Sequence, residues 1–157
     1  MKMNKGSNAG IKAENQKIAI LLPYFNDTLG LELYENTKKE LLAKNIREKN
    51  IELFRVPGSL ELPLAAKKIL GKKKFNALIA LGLIIQGETF HFELVCNNTY
   101  SGLMKVALEL EKPIIFGVLT VKNRKQAEER ISKNGMNKGA EFAESAIEMI
   151  ALINSLK

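Results

Sequence analysis

The sequence contains one cysteine, Cys96, and one histidine, His91, among 157 residues. A single cysteine excludes an internal disulfide and any cysteine-based metal cluster, and with only one histidine beside it no metal-centred catalysis is expected. Long apolar runs are also missing. The most apolar stretch, 77–85, falls far short of the roughly 18 residues that a membrane span requires, so no membrane partner is expected. The motifs G-x-x-x-x-G-K-[ST], G-x-G-x-x-G and H-E-x-x-H and a calcium loop are absent, which removes the common phosphate-loop, dinucleotide, zinc-protease and EF-hand readings. The first sixteen residues, MKMNKGSNAGIKAENQ, have neither an apolar core nor a small-residue cleavage site. They do not read as a secretory signal, and a cytoplasmic location is expected.

What is present fits one domain. The hydrophobic fraction is 46% and the charged fraction 26%, ordinary values for a globular protein, and the length allows a proper core. Residues 1–16 read as a polar basic tail and 17–157 as a single α/β domain. The net charge of +7 raises the question of nucleic acid. Five of the lysines fall between Lys67 and Lys74, around Gly71. That is where a helix should end, and cations before a glycine cap are favoured by the helix dipole alone. No stacking aromatics interleave with them, so a solvated face is expected and no nucleic-acid partner.

Strand and helix alternate along the chain. Strands are expected at 17–22 (KIAILL, closed by Pro23), 51–56 (IELFRV), 77–85 and 113–119 (PIIFGVL). Helices are expected at 28–43, with Asn26, Asp27 and Thr28 each a plausible cap, at 60–70, ending at Gly71, and from about 92 to 110. A charged helix is expected over 123–131, and a last amphipathic one carries Ala140, Ala143, Ile147 and Ile150. Four strands each followed by a helix imply a central parallel sheet with right-handed crossovers and helices on both faces. Ligands in such sheets bind beyond the carboxyl ends of the strands, here the segments 23–28, 57–61, 86–91 and 116–123.

The third of these organises the rest. In GLIIQGETFHFELVC, residues 82–96, a buried strand breaks at Gly87-Glu88-Thr89 and a helix opens at about His91. Unpaired amides and a helix dipole at such a junction suit an anion, and an imidazole beside it suits proton transfer. The alternative is a surface histidine at an ordinary strand–helix turn. Tyr24 and Phe25 end the first strand, where a ring could stack on a flat heterocycle or simply cover the core edge. In VPGSLELP, Ser59 and Glu61 could bond a polyhydroxylated ligand, or the glutamate could cap the next helix. Arg130 and Lys138 could hold phosphate or face solvent. Cys96 reads as a small apolar residue on a helix.

VPGSLELP, GLIIQGETFHFELV, PIIFGVLT and QAEERI…NKGAE, in this order, resemble the 6,7-dimethyl-8-ribityllumazine synthase family from about Lys17 to the C-terminus. The resemblance implies a flavodoxin-like three-layer sandwich with a four-stranded parallel sheet and helices on both faces. It implies a cofactor-free condensation of 5-amino-6-(D-ribitylamino)uracil with 3,4-dihydroxy-2-butanone 4-phosphate, releasing phosphate and water. Phe25 would stack on the pyrimidine, and Ser59, Leu60 and Glu61 would hold the uracil side and the ribityl hydroxyls. Main-chain amides at Gly87, Glu88 and Thr89 would meet the phosphate with Arg130, while His91 would shuttle protons and Lys138 would line the site.

In that family the site lies between subunits of a pentamer, with the region of Phe116, Arg130 and Lys138 supplied by the neighbouring chain. Three departures stand out. Leu60 replaces a frequent phenylalanine, Gln86 replaces a usual cation beside the phosphate turn, and Pro23-Tyr24 precedes Phe25 where a small residue and arginine are frequent. The connection 130–139, RISKNGMNKG, has the length of members that build an icosahedral 60-mer from pentamers, and that assembly is expected. The resemblance leaves two other readings: a container shell without activity, and the related archaeal-type riboflavin synthase, which would need no phosphate site.

Overall fold

A computed structural model describes residues 12–72 and 74–157. Residues 1–11, most of the expected tail, and Lys73 of the basic run lie outside the described residues. Four strands form: β1 Ile18–Pro23, β2 Ile51–Val56, β3 Ala77–Ile85 and β4 Ile114–Val121. All pair in parallel, in the order β2-β1-β3-β4. Parallel neighbours require long crossovers, and each crossover here carries a helix. These are α1 Asp27–Ala43, α2 Leu62–Gly71 and α3 His91–Leu110; α4 Arg124–Ile131 and α5 Lys138–Ser155 follow β4.

The two-residue period of each strand sorts the core into two layers. Ile18, Ile20 and Leu22 of β1 and Ile79, Leu81 and Leu83 of β3 pack with Leu33 and Leu41 of α1, Ile131 of α4 and Ala143 and Ile147 of α5. The alternate residues Ala19, Leu21, Leu78, Ala80 and Val118 pack with Leu62 and Ala66 of α2 and Val95, Leu103 and Val106 of α3. A sheet covered on both faces needs apolar residues at successive positions, which is why β1 and β3 read as unbroken apolar runs.

Three local expectations change. β4 runs to Val121, past Leu119, because β3 still offers a partner there: Ile85 lies opposite Val121. Phe116 therefore sits within the strand, opposite Ala80, and not in a segment beyond it. Gly71 is the last residue of α2 and not a left-handed cap; Lys72 takes the cap position at φ −77°. Lys67 and Lys74 of the basic run stay exposed, as a solvated face requires, while pairing with Glu109 at 3.1 Å and Glu52 at 2.9 Å.

Gly139, in the N-K-G motif, lies where α5 meets α1. A Cβ at this position would stand 2.9 Å from the Leu33 carbonyl oxygen and 3.0 Å from the Thr37 amide nitrogen. Both are backbone atoms of a packed helix and cannot swing aside. Gly139→Ala should therefore destabilise the fold by about 1–3 kcal/mol, the range for overpacking. The fall should appear as a lower urea midpoint, and an unchanged midpoint would show that the helix pair has slack.

Candidate active site

The path of the chain across the sheet reverses between β1 and β3. From β1 it passes through α1, on one face, to β2; from β2 it returns over β1 through α2, on the other face, to β3 and on to β4. The helices leaving β1 and β3 thus diverge to opposite faces. A crevice must open beyond the carboxyl ends of these two strands, the usual ligand position in open α/β sheets. A cavity of ≈ 380 Å³ lies there.

Each neighbouring strand end contributes to its wall. Phe25 and Asn26 follow β1, Gly58, Ser59, Leu60 and Glu61 follow β2, and Gly87, Thr89 and His91 follow β3. Leu83, Ile84 and Ile85 of β3, with Phe92 and Val95 of α3, give it an apolar lining. Seven residues expected at the site from sequence, far apart in the chain, thus share one cavity. Glu88 is exposed in the same turn as Gly87 and Thr89 but is not part of the wall.

The Gly87–Thr89 turn joins β3 to α3. The His91 amide donates to the Thr89 hydroxyl at 3.3 Å, fixing the turn against the first residue of α3. Phe90, at the cap position, supplies no side-chain acceptor. No protein acceptor is found for the amides of Gly87, Glu88 and Thr89 among the described residues. Unpaired donors beside the positive end of a 20-residue helix have the polarity that suits an anion. Ser59 to Glu61 form a single 3₁₀ turn before α2, and Glu61 occupies the position before that helix without capping it through its side chain. The capping alternative is thereby removed. Its Oε2 instead curls towards Gly58, where an added Cβ would lie 3.1 Å away.

Phe25 does not cover the core edge: the residue is 75% exposed. Two features that the sequence reading missed hold its loop. Arg55 of β2 donates through Nε to the Leu22 carbonyl at 3.1 Å, pairs with Asp27 and lies over the Tyr24 ring at 4.5 Å. Asn26, one of the expected helix caps, occupies the cap position but makes no side-chain cap bond; its Nδ2 donates to the Leu83 carbonyl at 3.1 Å. Neither role was legible before strand order was known, because Arg55 and Leu83 are distant in sequence from the loop.

Three expected residues stand elsewhere. Phe116 is half-buried, edge-on to the Tyr100 ring at 5.6 Å, and the Tyr100 hydroxyl donates to the Val118 carbonyl. Arg130 donates to the Gln126 carbonyl at 3.0 Å within α4, and Lys138 pairs with Glu141 at 2.6 Å within α5. None of the three lines the cavity of its own chain. Cys96 is half-buried on the core side of α3, and burial first and the Glu93 carboxylate second push its thiol up. It stays protonated at neutral pH and offers no nucleophile.

Fold and crevice together define a flavodoxin-like, three-layer α/β domain with a ligand cavity at its topological switch point. Residues 15–154 match the family model of 6,7-dimethyl-8-ribityllumazine synthase, and the chain belongs to that family. It is thus a transferase of riboflavin biosynthesis, condensing ribitylaminouracil with the butanone phosphate. Among the described residues no helix is long and apolar enough to cross a membrane.

Proposed function

We propose that the cavity is one half of the condensation site and that a neighbouring copy of the chain supplies the other half. One observation carries this reading. Phe25, Ser59, Leu60, Glu61, Gly87, Thr89 and His91 converge, whereas Phe116, Arg130 and Lys138, the remaining motif positions, do not reach them in the same chain. Exposed apolar side chains also stand on α2, at the start of α3 and along α3: Leu64 and Phe90 are each 67% exposed, and Leu108 is 71% exposed. Apolar surface of this kind on α2 and α3 suits a protein neighbour.

In this reading the pyrimidine stacks on Phe25, and Ser59, Leu60 and Glu61 hold its polar edge and the ribityl hydroxyls. The butanone phosphate lies with its phosphate on the amides of Gly87, Glu88 and Thr89, beneath Arg130 of the neighbour. The uracil amine attacks the ketone and imine formation releases one water; phosphate then leaves, and attack of the ribitylamino nitrogen on the remaining carbonyl closes the ring with loss of a second water. Each step moves protons but needs no cofactor. His91 carries protons between the reacting groups, and Lys138 and Phe116 of the neighbour close the wall. Holding two reactants in register can supply about 7–11 kcal/mol, more than one acid–base group typically gives.

The rest of the reading is that residues 17–157 act as one domain, that the protein works in the cytoplasm, and that the copies form a pentamer. The length of the 130–139 connection supports closure of pentamers into a shell. The test follows lumazine absorbance and phosphate release together, above the background without protein. The assembled protein should give one phosphate per lumazine, and subunits dissociated by dilution should be inactive. Full activity in a monomer would overturn the shared site.

A further inference from the structure

Asn26 is the residue after the proposed stacking ring, and its backbone is left-handed, at φ 59° and ψ 44°. Asparagine tolerates this conformation better than most residues, so backbone geometry alone could explain its presence. The side chain does something more. It leaves the helix cap unmade and spans the crevice to the Leu83 carbonyl near the end of β3. Only the amide NH₂ can face a carbonyl oxygen, so the orientation of the group is fixed. β1 lies between β2 and β3, and the loop after it is therefore tied on both sides: by Arg55 to the β2 side and by Asn26 to the β3 side.

We propose that Asn26 is a positioning residue for the pyrimidine substrate. Its bond to Leu83 sets the height and tilt of the Phe25 ring over the strand end from which the Gly87–Thr89 turn departs, and so fixes the spacing between the two substrates. The proposal rests on Phe25 being the stacking platform. Loss of the tether leaves the loop attached, since Arg55 still holds the Leu22 carbonyl and Asp27 and the Tyr24 amide still donates to the Val56 carbonyl. Only the ring and its neighbours gain freedom.

Steady-state kinetics on the assembled enzyme test this with Asn26→Gly, Asn26→Asp, Phe25→Ala and the double variant Phe25→Ala/Asn26→Asp. Glycine accepts the left-handed backbone freely and removes only the tether, while aspartate keeps the size and turns an acceptor towards the Leu83 carbonyl. Both single variants at Asn26 should raise the KM for ribitylaminouracil about tenfold, the scale of one buried acceptor left unpaired. The KM for the butanone phosphate should stay within about twofold, and Asn26→Asp should add little to Phe25→Ala, because the two act as one unit. A KM for ribitylaminouracil that is unchanged in Asn26→Gly would assign Asn26 to backbone geometry alone and overturn the proposal. Equal rises for both substrates, or full additivity with Phe25→Ala, would do the same. The two readings fail separately. Phe25→Ala without a rise removes the platform, whereas a rise there with none in Asn26→Asp removes only the tether.

Discussion

Replacing Arg130 with alanine should raise the KM for the butanone phosphate about a hundredfold while leaving the KM for ribitylaminouracil within about threefold. A guanidinium binds phosphate through two parallel charge-assisted bonds, and removing it leaves a dianion facing only main-chain amides. In the structure the Arg130 side chain donates to the Gln126 carbonyl, and among the described residues no carboxylate pairs with it. Its charge is uncommitted. In the proposed site the requirement is sharpened by Gln86, a neutral side chain next to the Gly87–Thr89 turn, which would leave more of the phosphate binding to Arg130. Steady-state measurement of each substrate at saturating concentrations of the other checks this. Equal weakening of both substrates would show that Arg130 maintains the assembly and does not hold phosphate.

The second large effect is on rate. His91→Ala should lower kcat about a hundredfold, the lower end for a general acid–base, with both KM values little changed. His91 opens α3, its amide is tied to Thr89, and its ring lines the cavity beside the proposed phosphate turn. It is well placed to move protons and poorly placed to carry much binding. Residual activity is expected because the site still holds the two substrates in register. An unchanged kcat would rule His91 out as the proton shuttle, and a large rise in either KM would give it a binding role instead.

The fold and the site were legible in the sequence to different degrees. Strand and helix positions were readable because β1 and β3 are buried on both faces and so carry continuous apolar residues, while α5 shows its core stripe at helical spacing. The cavity was readable because its groups come in short local motifs that end strands. The end of β4 was not, because Val121 is held in the strand by Ile85, a partner invisible without the register. The clamps on the Phe25 loop were hidden for the same reason: Asn26 looked like a helix cap, and only the adjacency of β1 and β3 turns its side chain towards Leu83. Gly71 shows the opposite error, a local rule applied where α2 simply runs on to its last residue.

Mixing two defective chains tests whether one chain supplies His91 and its neighbour supplies Arg130. His91→Ala and Arg130→Ala chains should each assemble into an oligomer of low activity. Co-assembled at equal amounts around a head-to-tail ring, they should restore about a quarter of the sites, where an intact His91 meets an intact Arg130 across the interface. Mixed oligomers no more active than the average of the two parents would contradict the shared site and return both residues to a single chain.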